Sequence, residues 1–294
     1  MSGLAMVDTR VFRTLIVACL LTAIPASILG QRPGAQGRRG GPPGERWEVQ
    51  LPEGAGTYPT GSLLIRNLDA IWTARGEVLE NASILIRDGV IAEMGTDLAA
   101  PEGVPVVEGN GLTAIPGLVD EHTHTAMVGT NEGSAPVVPE VRVLDALDPE
   151  TLTIYRSLSG GVTTARVMHG SANPIGGTSA VIKMRWGMDS GHQLLLDGAP
   201  RLIKFALGEN VSGKGSAGRG GSTRFPASRQ GVQAIYVQAF TAAREYQAAW
   251  EAYRQNPEGF RVPPRRDLRL ETLVDVLEGR IEVHAHSYRA DEIL

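Results

Sequence analysis

Gly111-Leu-Thr-Ala-Ile-Pro-Gly-Leu-Val-Asp-Glu-His-Thr-His124 is the stretch whose reading decides the fold. Its first nine residues form an apolar run, and Asp120-Glu121-His122-Thr123-His124 follows at once. In a strand, residues two apart share a face, so His122 and His124 leave the strand end on one side, as two ligands of one cation require. An isolated His-x-His is equally compatible with a pair of polar loop residues. The rest of the chain decides between these readings.

Downstream, candidate strands Thr163–Met168, Ala180–Met184, Leu202–Phe205 and Ile281–His286 alternate with helical patterns. From Gly231 to Tyr253 the residues Val232, Ile235, Ala239, Ala243 and Tyr246 recur at helical spacing on one broad side. A second helix is expected from Leu270 to Leu277. Repeated crossovers of this kind favour an α/β barrel over an all-β protein. Upstream, Leu63–Arg66, Ala70–Thr73, Ala82–Arg87 and Val90–Met94 read as short β segments, and Asp88-Gly89 between the last two is a strong hairpin turn.

The nine residues Pro116-Gly-Leu-Val-Asp-Glu-His-Thr-His124 resemble, without a gap, the signature at the end of the first barrel strand in the metal-dependent amidohydrolase superfamily. Within it, the chain looks like the branch of imidazolonepropionase-like proteins and Xaa-Pro dipeptidases. Supporting stretches are Ser159–Ala165, Asn173–Gly177, Ile203–Asn210 and Val283–Ile293, in that order. The resemblance implies a fold class of α/β, an amidohydrolase-type TIM barrel beside a small N-terminal β-sandwich domain. It implies hydrolysis of a carbon–nitrogen bond in a small amide, peptide or cyclic amide-like substrate by metal-activated water. The cofactor would be zinc or another divalent metal, as one or two ions.

The same resemblance nominates His122, His124, Lys204 and His286 as metal ligands. Lys204 stands in an otherwise apolar strand, and relatives carboxylate the matching lysine with carbon dioxide so that its carbamate bridges metals. Strand parity lets either His284 or His286 reach a metal, and motif comparison favours His286, leaving His284 to a supporting or core role. Tyr288 and Arg289 are candidate substrate-facing residues, polarising a carbonyl or binding a carboxylate. Asp120 either orients a ligand or closes the strand end. The glycines of Asn173–Gly177 are expected to permit a tight turn near the active face, and His169 reads as a polar loop residue. The family mechanism also uses a sixth-strand histidine and an eighth-strand aspartate, for which no residue is assigned. The matching strands run to about the fifth, so the barrel in this chain is expected to be incomplete: a fragment, or a protein completed by a partner.

Composition sets further bounds. With 28 basic against 32 acidic residues, nothing draws a polyanion to the whole molecule, and nucleic acid is not an expected partner. Gly208–Ser216 approaches a phosphate-binding loop, but Lys214 is followed by Gly215 and no helix clearly starts there. Arg10 and Arg13 precede the apolar segment Thr14–Ile24 and the small residues Pro25–Ser27, a pattern resembling a signal peptide and too short for an ordinary span. Processing would remove Cys19, the single cysteine. The expected organisation is a signal peptide over 1–30, a Gly/Pro/Arg-rich tether over 31–59, a small β domain over 60–112 and the barrel portion over 113–294. The expected location is exported and periplasmic, with no stable membrane span after processing and a homo-oligomer open. The competing functional reading is a noncatalytic exported binding or scaffold protein derived from an amidohydrolase.

Overall fold

The computed structural model describes residues 61–212 and 224–293, so the expected signal peptide, tether and most of the Gly/Ser-rich loop lie outside the described residues. The chain divides into two compact units between Pro116 and Gly117.

In the first unit, β1 (Leu63–Trp72), β2 (Val78–Arg87) and β3 (Val90–Gly95) form an antiparallel meander. Two short strands, β4 (Val106–Glu108) and β5 (Thr113–Ala114), pair parallel to β1. Arg87 pairs with Val90, which leaves Asp88 and Gly89 as a two-residue loop with φ of 51° and 78°. Positive φ at both positions matches the twist of a tight hairpin, and glycine accepts it without strain. Asn67, at φ 58°, lies where the β1–β2 register slips. Ile65, Leu68, Ile71, Ala82, Ile84 and Ala114 form the core of this unit. Where a sandwich was expected, the described strands form one five-stranded mixed sheet.

The second unit contains two three-stranded sheets. In one, β6 (Leu118–Thr123) lies parallel to β7 (Val162–Val167), and helix α1 (Leu152–Ser159) comes between them in the chain. In the other, β10 (Leu202–Ala206) lies parallel to β11 (Glu282–His286). Helices α2 (Arg229–Gln255) and α3 (Leu268–Leu277) make that crossover. Between β7 and β10 the run Ala180–Met184 does not supply another parallel strand. Instead β8 (Ile175–Thr178) pairs antiparallel with β10, and one residue later β9 (Ala180–Lys183) pairs antiparallel with β7. The result is an α/β fold with mixed sheets, and they do not close into a barrel among the described residues.

Burial explains the faces. Ile203 and Phe205 of β10 pack with Ile175, Ala243, Leu273 and Val274 beneath α2 and α3. Each of the larger side chains, Ile203, Phe205, Ile175, Leu273 and Val274, contributes about 1.5–3 kcal/mol by leaving water. Strand alternation then sends Lys204 to the opposite face. Ala165, Val167, Ile182 and Ile154 hold the β6–β7–β9 sheet against α1. Both crossover helices of β10–β11 begin on a cap: Ser228 Oγ accepts from the Gly231 N–H at 3.2 Å, and Asp267 accepts from the N–H groups of Arg269 and Leu270 at 2.9 and 3.1 Å. The bidentate pair of Arg269 with Glu140, closest at 2.7 Å, ties α3 to the loop before α1.

Candidate functional site

Lys204 organises the site. Its side chain is fully buried at 0% exposure, and β10 holds it in register beside His284 of β11, with Ala206 beside His286. Its Nζ lies 3.2 Å from His122 Nε2, and among the described residues no carboxylate acts on it. Burial pulls the ammonium down to about 8. Burial also holds His122 at about 4, helped by the Lys204 charge and then by His284, His124 and His286. The neutral His122 ring therefore accepts from the Lys204 ammonium through Nε2.

Three further imidazoles, His124, His284 and His286, surround this pair. The rings of His122 and His124 are perpendicular with centroids 5.3 Å apart, as expected for side chains leaving one strand end on one side. His284 meets His122 edge-on at 5.0 Å. Burial, then Lys204, lowers both His284 and His286 below the ordinary histidine range. His124 Nδ1 donates to the Met168 carbonyl at 2.8 Å, leaving its Nε2 lone pair free, the tautomer a metal-ligating histidine adopts. His286 Nδ1 lies 2.5 Å from Ser171 Oγ.

The structure therefore brings together His122, His124, Lys204 and His286, and adds His284. Motif comparison ranked His284 second, yet its ring touches His122 while that of His286 rests on Ser171 and Tyr288. The missed signal was register: β10 and β11 are parallel, and residue 284 is the one that falls beside residue 204. Tyr288 is exposed with its ring 4.8 Å from that of His286. The Arg289 guanidinium meets the Asp291 carboxylate at 2.8 and 2.6 Å, an exposed pair. Asp120 accepts from the His122 N–H at 3.1 Å and so closes the strand end.

Two expectations are refined here. His169 is a loop residue as read, but a buried one whose ring is fully used: Nδ1 donates to the Gly170 carbonyl and Nε2 accepts from the Glu132 N–H, both at 2.8 Å. Gly176 and Gly177 do not make a turn. They lie in β8, where a Cβ on Gly176 would come within 2.9 Å of His169 Nδ1 and one on Gly177 within 2.6 Å of the Val141 carbonyl. Close approach of backbone, not left-handed φ, is what requires them.

No family model matches the chain. The sequence is 28% identical over 235 residues to amidohydrolase tasK of Hapsidospora irregularis, a match covering 71% of this chain and 24% of that protein. It is 30% identical over 119 residues to imidazolonepropionase of Deinococcus deserti, covering 38% of this chain and 30% of the relative. An amidohydrolase from Thermotoga maritima superposes with a TM-score of 0.67 at 29% identity, covering 79% of this chain and 59% of the other. The chain is homologous to the metal-dependent amidohydrolases. It spans about a quarter of the length of the first of these curated relatives. The fold resembles amidohydrolase-type architecture, and its parallel pairs β6–β7 and β10–β11 carry histidines at the ends of β6 and β11. Among the described residues, however, His, Cys, Asp and Glu side chains alone give no group of three placed to hold a metal ion. The convergence is of imidazoles about a lysine.

Proposed function

We propose that this chain carries the metal-binding residues of a hydrolase that opens carbon–nitrogen bonds in a small amide, peptide or cyclic amide-like substrate. The observation that carries the reading is a fully buried lysine whose amine meets His122 and, among the described residues, feels burial with no carboxylate acting on it. An ammonium in that position is costly and repels a cation. Carboxylated by carbon dioxide, the same side chain becomes an anion with two oxygen donors facing imidazoles, which would add donors where His, Cys, Asp and Glu alone give no group of three among the described residues.

The residues that would hold the metal are His122, His124, the Lys204 carbamate and a histidine of β11. Contact with His122 supports His284 in that last role, and motif comparison supports His286. Zinc is the expected ion for a nitrogen-rich hydrolytic site, and when bound it supplies Lewis acidity and lowers the pKa of water. The Met168 carbonyl holds the His124 ring with Nε2 available, the Asp120 carboxylate accepts from the His122 backbone N–H, and Tyr288 presents an exposed hydroxyl beside His286 for substrate. We also propose export, on the pattern of residues 1–30, to be tested by fractionating cells. Among the described residues no helix is long and apolar enough to cross a membrane.

The test is metal stoichiometry of the full chain purified with zinc and bicarbonate, followed by a screen of dipeptides and cyclic amides. Stoichiometric zinc that depends on bicarbonate and is lost in Lys204→Ala, with turnover of a carbon–nitrogen substrate, is the expected result. Equal zinc uptake by wild type and Lys204→Ala would sink the ligand assignment. Stoichiometric zinc without turnover would favour the noncatalytic binding protein.

A further inference from the structure

We propose that the loop Met168–Asn173 is a positioning strap that fixes, from one short segment, the orientation of histidines on two separate strands. At its start the Met168 carbonyl accepts from His124 Nδ1 at 2.8 Å, just beyond the end of β6. Three residues on, Ser171 Oγ meets Nδ1 of His286, the last residue of β11 and 115 positions away in the chain, at 2.5 Å. His124 donates through Nδ1, which leaves its Nε2 for the site, and the His286 ring is held at Nδ1 by Ser171, with the Asn210 side-chain amide 3.5 Å from the same nitrogen. One loop thus sets two imidazoles that no common strand or helix relates.

What makes the loop able to do this is the pair of buried polar residues beside Ser171. His169 is 2% exposed and Asn173 1% exposed. Buried polar groups are tolerated only when paired, and both of these pair with the same neighbouring segment. Glu132 N–H donates to His169 Nε2, and Asn173 Nδ2 donates to the Glu132 carbonyl at 2.6 Å. Gly170 N–H adds a bond to the Thr130 carbonyl at 3.0 Å. Arg224 closes the far end, donating to Asn173 Oδ1 at 3.0 Å and to the Ala172 carbonyl at 2.6 Å. Gly176 lets β8 pass the His169 ring, where a Cβ would press on Nδ1. Because Nδ1 donates and Nε2 accepts, His169 is fixed as the neutral Nδ1–H tautomer with no lone pair to offer a cation. It is a positioning residue, and so are Ser171 and Asn173.

The functional weight of the strap rests on the metal reading above, whereas its geometry does not, and the experiment separates the two. The full chain, labelled with nitrogen-15 in its six histidines and freed of metal by a chelator, is examined by long-range proton–nitrogen correlation, with His192 as the spectator. Ser171→Ala is expected to move the ring-nitrogen resonances of His286 and leave those of His124 and His192 in place. Asn173→Asp, which keeps shape but loses the donor to Glu132, is expected to move His124 and His286 together. Ser171→Thr, which keeps the hydroxyl, is expected to restore the wild-type His286 signals. Unmoved His286 resonances in Ser171→Ala, or a Ser171→Thr protein indistinguishable from Ser171→Ala, would overturn the strap, and these hold even if Asn173→Asp does not fold. Cobalt titration is the second readout: Ser171→Ala should weaken binding by about 10- to 100-fold and change the cobalt absorption spectrum. Unchanged affinity and spectrum would overturn the positioning role. A wild-type chain that takes up no cobalt would sink the metal reading, and the ring-nitrogen result would then judge the strap alone.

Discussion

Replacing Lys204 by methionine should make the metal-free protein more stable near neutral pH, although it removes a hydrogen bond. Methionine has nearly the same length and no charge, so it refills the space without a buried ammonium. The ordinary value of 10.5 falls to about 8 in the folded chain because the side chain is buried. That depression corresponds to about 3 kcal/mol by which protonated Lys204 destabilises the fold. Losing the contact with His122 gives back about 1 kcal/mol. Lys204→Met should therefore be more stable by about 2 kcal/mol below about pH 8. The sign follows from proton counting. Between about pH 8 and 10.5 the unfolded chain holds the lysine proton and the folded chain does not, so wild-type stability gains on the variant as pH rises through that window. By its upper end the wild type should lead by about 1 kcal/mol, the neutral amine still contacting His122. Urea unfolding of both proteins from about pH 7 to 10.5, with chelator and without carbon dioxide, measures the difference. A difference that is flat across that range, or a variant less stable than wild type at pH 7, would refute the argument that Lys204 is buried as an uncompensated cation.

Further outcomes follow from the same geometry. His284→Gln and His286→Gln should each reduce zinc affinity, His286→Gln by at least as much as Ser171→Ala; competition titration against a zinc-binding dye ranks the two, and full affinity in His286→Gln would leave the β11 ligand role to His284 alone. Leu273→Ala removes a fully buried side chain beneath β10 and should cost about 2–5 kcal/mol in urea unfolding, with no effect within about 0.5 kcal/mol ruling out that core. Gly89→Ala, at φ 78°, should destabilise the first unit by about 1 kcal/mol or more without changing zinc stoichiometry; loss of zinc in this variant would show that the two effects are not separable.

The parts of this protein legible in the sequence are those written by local periodicity. The Asp88-Gly89 hairpin, the apolar stripe of α2 and the strand carrying Lys204 each depend on residues within a few positions of one another, and each forms where the pattern places it. Helix α1 was not evident, because its eight residues offer barely two turns and only Ile154 is fully buried. The reversal at β8–β9 was invisible for a different reason. Alternating apolar residues at 180–184 specify a strand and a buried face but carry no information about parallel or antiparallel pairing, and that direction decides whether the run continues a barrel or bridges two sheets. The site divides along the same line. His122 and His124 were legible as a pair because strand parity relates them. Choosing between His284 and His286 required inter-strand register, and seeing His169 as a buried anchor required partners that lie some 37 residues upstream. What sequence pattern supplies, then, is the list of groups that can bind a cation; which of them converge on Lys204 is set by the pairing of β10 with β11 and by the loop that follows β7.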